Sequence, residues 1–240
     1  MANALALDLS PGLVSAAGQS VAVDISSARN VVRLTARRLA AVGSGSTFLA
    51  LETSDDGLTH WRQLGKFELS GELVKMFGIR LSRWIRVTWS LDSLTSVTLS
   101  ITGEAESAYC DPEDVTRLSL PDGALDGVSI VEQLDSCLAA SDECEGYLAA
   151  AYTMPILKWS GDLRIHCAKM AVRYTLDRRG WDPEQGRDNV IEVGFDRAIK
   201  WLKLIAEGLV RPPGIIDSAP EVFEAGSVVM SRPSRRDGGW

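Results

Sequence analysis

Tyr109-Cys110-Asp111-Pro112-Glu113-Asp114 opens the stretch that decides the fold, and that stretch runs on to Gly208. Asp111 suits a helix N-cap, Pro112 fits a first turn, and Glu113 and Asp114 favour the positive end of a helix dipole. A longer helix is predicted from about Ser129 to Tyr152. Val131, Leu134, Leu138, Ser141, Glu145 and Leu148 follow its 3–4 spacing, and Ile130, Cys137, Cys144 and Ala151 widen the apolar side. Pro155 stops it. A third helix is predicted from about Asp162 to Arg178, with Leu163, Cys167, Met170, Ala171 and Tyr174 as its stripe and Gly180 just past its end. A fourth begins near Asp182-Pro183-Glu184 or somewhat later and ends at Gly208. Ile191, Phe195, Ala198, Leu202 and Ile205 lie on one side of it, with Trp201 adjacent.

Upstream the period changes from 3.6 to two. Val21–Ile25, Val32–Arg37, Thr47–Thr53, His60–Leu69, Leu73–Phe77, Arg83–Trp89 and Thr95–Ile101 read as short strands. Leu5, Leu7 and Leu9 alternate ahead of them. Gly43-Ser44-Gly45-Ser46 reads as a flexible turn and Ser54-Asp55-Asp56-Gly57 as a strong one. Seven or eight strands at this spacing predict an antiparallel β-sandwich or jelly roll. The polar segment Gly103–Ala108 falls where the period changes and is taken as a boundary. After Gly208, Arg211-Pro212-Pro213-Gly214 ends the helical pattern. The expected class is therefore α+β: a jelly-roll-like sandwich over 1–106, a helical domain over 107–210 and an extended C-terminal arm over 211–240.

Net charge is −7 and unevenly placed. Residues 1–106 carry 10 basic and 10 acidic groups, and residues 211–240 carry 4 of each, so the whole excess lies in the helical block, with 11 basic and 18 acidic. Such a block does not neutralise phosphates, which argues against tight nucleic-acid binding. It suits either a solvated surface or a wall past which DNA slides without sticking. No apolar run reaches the ~20 residues of a membrane helix. The start, Met1–Asp8, lacks the basic and apolar regions of a secretory signal, so the expected compartment is the cytoplasm.

The motifs of hydrolases, P-loops, dinucleotide folds and zinc proteases are absent from the sequence. His60 and His166 fall in different predicted domains, and the four cysteines, Cys110, Cys137, Cys144 and Cys167, form no CxxC. The cysteines read as small buried hydrophobes, with Cys137 and Cys144 two helical turns apart, too far for an easy bridge. No metal, cofactor or catalytic site is expected. Asp122 and Asp126 lie in a loop whose spacing fails the EF-hand pattern and reads as a turn. Trp84 and Trp89, five apart, should face opposite sides of a sheet: one in the core, the other a stacking platform or subunit contact. Trp159 and Trp181 flank the third helix.

Three segments carry a family resemblance: Tyr109–Asp114, Glu145-Gly146-Tyr147-Leu148-Ala149-Ala150-Ala151-Tyr152-Thr153-Met154-Pro155, and Ala198-Ile199-Lys200-Trp201-Leu202-Lys203-Leu204-Ile205-Ala206-Glu207-Gly208. In that order they resemble the Mu-like phage neck proteins, which are similar to the head-to-tail adaptors of tailed phages. The resemblance spans roughly residues 107–240. It implies a structural virion protein, made in the host cytoplasm and placed at the neck. Such adaptors form a twelve-fold ring on the portal and continue the DNA channel towards the tail. The implied partners are the portal protein, neighbouring subunits, the next neck or tail-terminator protein, the capsid, and genomic DNA in transit. The arm would order on the portal, with Phe223, Arg235, Arg236 and Trp240 as portal-docking candidates, since Trp and Arg concentrate binding energy. Before the portal is met, the protein is expected to be largely monomeric. The alternative from the residues alone is a lectin-like sandwich using Trp61, Trp84 or Trp89, with the helices as carrier.

Overall fold

The computed structural model describes residues 4–26, 28–118, 125–179 and 189–218. In chain order these form β1 (Leu5–Asp8), β2 (Gly12–Val14), β3 (Gly18–Gln19), β4 (Val23–Asp24), β5 (Val31–Ser54), β6 (Arg62–Leu69), β7 (Leu73–Ile79), β8 (Trp84–Glu106), α1 (Pro112–Arg117), α2 (Ile130–Leu148), β9 (Ile156–Lys158), α3 (Gly161–Arg179), α4 (Asn189–Ala206) and β10 (Ile216–Asp217). The class is mixed α+β, as expected: one large curled antiparallel sheet followed by four helices.

Two long strands make the frame of the sheet. β5 runs 24 residues and β8 runs 23, and they pair antiparallel from Val31↔Glu106 to Ser54↔Trp84. The four short strands β1 to β4 walk back along the free edge of β8, from Leu5↔Ala105 to Val23↔Ile85. On the other side, β7 pairs the first part of β5 and β6 pairs its last part. Alternate residues point inward: Leu34 and Ala36, Leu49 and Leu51, Ile85, Val87 and Trp89, Val97, Leu99 and Ile101 are all buried in one apolar cluster. That period of two makes one face of the curled sheet a core and leaves the other to solvent, except where α2 covers it at Val31, Phe77 and Ile79.

Gly43–Ser46 does not reverse the chain. It is a bend inside β5, where the register with β8 shifts at Arg38/Ala40, Val42/Gly43 and Gly43/Ser46. Bulges of this kind let one strand turn a corner without losing its partner. Gly45, at φ +156, is required there: a Cβ would sit 1.9 Å from the Asp92 carbonyl oxygen. The runs 32–37 and 47–53 are thus one strand, and 83–89 and 95–101 are likewise one.

The helices begin where local chemistry places them. Asp111 and Ser129 are N-caps, each closing a capping box with Asp114 and Glu132. α2 stops at Leu148, earlier than its apolar pattern, because the next residues tighten into three-residue bonds, Ala150 N to Tyr147 O and Ala151 N to Leu148 O. α3 matches its predicted span within a residue at each end. Leu163, Cys167, Ala168, Met170, Ala171, Val172, Thr175 and Leu176 of α3 are all buried. α4 turns Ile191, Ala198, Leu202 and Ile205 into the same cluster. Past α4 the chain doubles back, and β10 pairs β9. Residues 211–218 therefore belong to the helical block, with Asp217 accepting a hydrogen bond from Thr153 N at 2.9 Å.

Candidate assembly surfaces

The sheet and the helical block meet without a loose linker. The segment expected to be a polar boundary is strand through Glu106, and Ser107, Ala108, Tyr109 and Cys110 are buried. The Asn30 side chain pairs both ways with the Ala108 backbone, at 2.8 Å each. Ser107 Oγ donates to Ala28 O at 2.6 Å. Val31 and Ala108 pack on Leu134 and Leu138 of α2, with Phe77 and Ile79 against them.

Charges close around this joint. Arg33 of β5 holds Glu106 through two nitrogens and reaches Asp135 of α2 at 3.3 Å. Arg80, after β7, donates to Asp111 at 2.7 Å and pairs with Glu113. Arg164 of α3 holds Asp114 at 2.6 Å and lies 3.6 Å from Asp111. Burial pushes the Asp111 carboxyl up, but the Arg80 guanidinium and the Asp114 backbone N–H outweigh it and hold the group below its usual range. Burial acts unopposed enough at Glu106 to push it up despite Arg33.

Beyond the joint, two helices present unlike outer faces. α2 carries Glu132, Asp135, Asp142, Glu143 and Glu145 and no basic residue. Burial pushes Glu143 and Glu145 up; their oxygens accept from the Tyr174 and Tyr109 hydroxyls, respectively. Asp142 is exposed, beside exposed Ala139 and Gly146. α4 exposes Val193, Arg197, Lys200, Lys203 and Leu204. Among the described residues none of those three cations is in an ion pair. α2 is thus acidic along its length, while the exposed side of α4 mixes these three cations with Asp196 and two apolar residues.

The tryptophans separate as their spacing predicts. Trp89 points inward and donates Nε1 to Ala16 O at 3.1 Å. Trp84 points outward, packed under Gly57. Trp61 carries the Arg86 guanidinium 4.1 Å above its ring, with Arg86 also bound to Glu52 at 2.7 Å. One indole face of Trp61 is thus occupied, and Trp89 is not a surface platform. Trp159 packs edge-on against Tyr109, and Trp201 stacks on His166 at 4.4 Å. Burial, then Lys169, holds His166 below its ordinary value. His60 lies in an exposed turn, its Nδ1 2.8 Å from Thr59 Oγ1. Among the described residues no group of three or more His, Cys, Asp or Glu is placed to hold a metal ion. Phe223, Arg235, Arg236 and Trp240 lie outside the described residues, as do Asp122, Trp181 and the 182–184 segment.

The family described as Bacteriophage Mu, Gp36 matches residues 109–231, half of the chain, starting at the residue where the helical block begins. The chain belongs to the bacteriophage Mu Gp36 family. Within this Gp36 segment lie all four helices and the β9–β10 pair. No curated protein matches the chain. Solved structures give loose likenesses. The PBSX exported protein XepA is 16% identical at TM-score 0.35, over 43% of this chain and 37% of that one, so the chain spans little more than a third of XepA. The Yersinia pseudotuberculosis-derived mitogen is 12% identical at TM-score 0.28, over 45% and 87%. The SPBc2 prophage-derived protein YomS is 12% identical at TM-score 0.27, over 43% and 95%.

Proposed function

We propose that this Gp36-family chain is a structural virion protein, a head-to-tail adaptor that forms a ring between portal and tail and continues the DNA channel. The observation that carries the reading is the family match from Tyr109 onward over a helical block with two unlike outer faces. A ring needs two different patches per subunit and a closing rotation. The acidic outer face of α2 meets the basic face of α4 on the next copy, and twelve subunits close the ring, as the resemblance to adaptors implies. The acid excess left around the opening repels phosphates and lets DNA pass. Residues 219–240 grip the portal through Phe223, Arg235, Arg236 and Trp240. The curled sheet sits on the outer rim, towards the capsid or the next neck protein.

Truncation after Ser218 tests the arm while leaving β10 in place. Mixed with portal, the full chain should give a ring-sized native mass and the truncated chain should not. Its helical circular dichroism should match that of the full chain. Portal binding retained by the truncated chain overturns the arm; a full chain that never associates with portal overturns the adaptor reading.

A further inference from the structure

All four cysteines of the chain converge in the helical core. Cys110 lies just before α1, Cys137 and Cys144 come from α2, and Cys167 from α3. Each is a buried free thiol. Cys110 Sγ and Cys167 Sγ are 3.3 Å apart, and Ser141 Oγ lies 3.4 Å from Cys167 Sγ. Cys137 and Cys144 are buried in the same core, where the Cys144 thiol lies 3.9 Å from Met170 Sδ. Cys110 in addition lines a cavity of about 220 Å³ at the joint between sheet and helices, together with Arg80, Tyr109, Trp159 and Arg164.

We propose that Cys110 and Cys167 are an oxidisable dithiol, a modification site that closes to an intramolecular disulfide on meeting a hydroperoxide at the joint cavity. A disulfide needs its sulfurs about 2.05 Å apart, so the pair must close by roughly 1.2 Å, within reach of small side-chain rotations. Cys110 faces the cavity and is met first. Its sulfur attacks the peroxide O–O bond, which breaks; one oxygen stays as the Cys110 sulfenic acid and the other takes the thiol proton and leaves as an alcohol, or as water when the oxidant is hydrogen peroxide. Cys167 then attacks the Cys110 sulfur. The S–S bond forms, the S–OH bond breaks, and the hydroxyl leaves as water with the Cys167 proton. Two thiols give two electrons to one peroxide. Burial pushes the Cys167 thiol up, but hydrogen bonding, led by the Cys110 thiol donating to its sulfur at 3.3 Å, outweighs it and holds Cys167 below its ordinary value, which suits it to the second step. The Ser141 hydroxyl proton goes instead to the Cys137 carbonyl oxygen, 2.8 Å away. The bridge spans 57 positions and ties the entry of the helical block to its central helix.

The test treats full-length protein with hydrogen peroxide and reads intact mass, a non-reducing peptide map and Tm. Expected are a loss of two hydrogens, one linked peptide pair carrying Cys110 and Cys167, and a rise in Tm of about 5–10 °C that dithiothreitol reverses. Cys167→Ser should instead leave a Cys110 sulfenic acid that dimedone traps, and Cys144→Ser should still form the bridge. An unchanged mass, a link through Cys137, or a bridge between two copies overturns the proposal. If a variant fails to fold, the wild-type peptide map decides alone. The ring reading is independent of every one of these outcomes.

Discussion

Asp111 joins three jobs in one carboxylate, and two substitutions pull them apart. It caps α1 by accepting from Asp114 N at 3.0 Å, it takes the Arg80 guanidinium at 2.7 Å, and Arg164 stands 3.6 Å away. Asparagine caps as well as aspartate does, so Asp111→Asn keeps the cap and removes the charge. Alanine removes both. A charge-assisted hydrogen bond contributes about 1.5–3 kcal/mol, and solvent screening of the 47% exposed Arg80 side chain brings this down to about 1–2 kcal/mol. The cap adds about 1 kcal/mol. Asp111→Asn should therefore cost about 1–2 kcal/mol and Asp111→Ala about 2–3. At roughly 2–4 °C per kcal/mol for a chain of this size, the Tm losses are about 2–8 °C and 4–12 °C. The pH dependence has a definite sign. The folded carboxyl sits below its ordinary value, so its stabilisation is full above the unfolded value near 4 and is lost as pH falls through the folded value. Glu106, Glu143 and Glu145, raised by burial, act in the opposite sense, so only the difference between wild type and variant isolates Asp111. Thermal unfolding followed at 222 nm from pH 2 to 8 measures it. The wild-type advantage over Asp111→Asn should shrink below about pH 4. Equal losses for the two variants, or additivity of Asp111→Asn with Arg80→Met, would refute the reasoning.

Three further outcomes follow from the geometry. Gly103→Ala puts a Cβ 2.0 Å from the Arg33 carbonyl oxygen, a backbone atom that cannot rotate away, so about 3 kcal/mol or more should be lost; Gly71→Ala, in open space, is the control, both read by denaturant unfolding. Leu134→Ala empties the cluster between sheet and α2 and should cost about 2–4 kcal/mol, whereas Val131→Ala on the exposed side should cost under about 1. Lys200→Glu with Lys203→Glu should cost about 1–2 kcal/mol, since Lys203 lies in the last turn of α4, and leave the chain folded yet abolish ring assembly on portal, and Asp142→Lys on α2 should restore it in part; native mass of the mixtures reads both.

The helical half was legible because its signals are local. Asp111-Pro112-Glu113-Asp114 and Ser129–Glu132 fix helix starts through bonds three residues long, and the structure makes those bonds. The curled sheet was legible as a class but not as a path. Gly43-Ser44-Gly45-Ser46 has the composition of a turn, and only the pairing with β8 across the corner, fifty residues away, makes it a bend. Ser93, at φ +58 on the facing strand, gives no hint of this in sequence. The thiol cluster was missed for a related reason. Its members are spaced irregularly along the chain, and nothing in any one window joins them. The available signal was that Cys137, Cys144 and Cys167 each fall on the inward stripe of a helix; stacking those stripes brings the sulfurs together.

The distribution of charge separates what holds this subunit together from what it offers to others. Arg33, Arg80 and Arg164, the arginines that bridge the joint or brace α1 against α3, are matched to carboxylates within 3.6 Å, and Asp111, which Arg80 and Arg164 share, is held below its ordinary value. Arg197, Lys200 and Lys203 stand on a helix whose apolar side is already satisfied by Ile191, Ala198, Leu202 and Ile205. An exposed ion pair contributes little to folding, so leaving these cations unmatched costs the monomer little. In the ring proposed above, the same cations would meet carboxylates of the next copy, where each pair would lose water and gain selectivity for one register. On that proposal stability and assembly rest on different residues: the subunit folds first and recognises its neighbours afterwards.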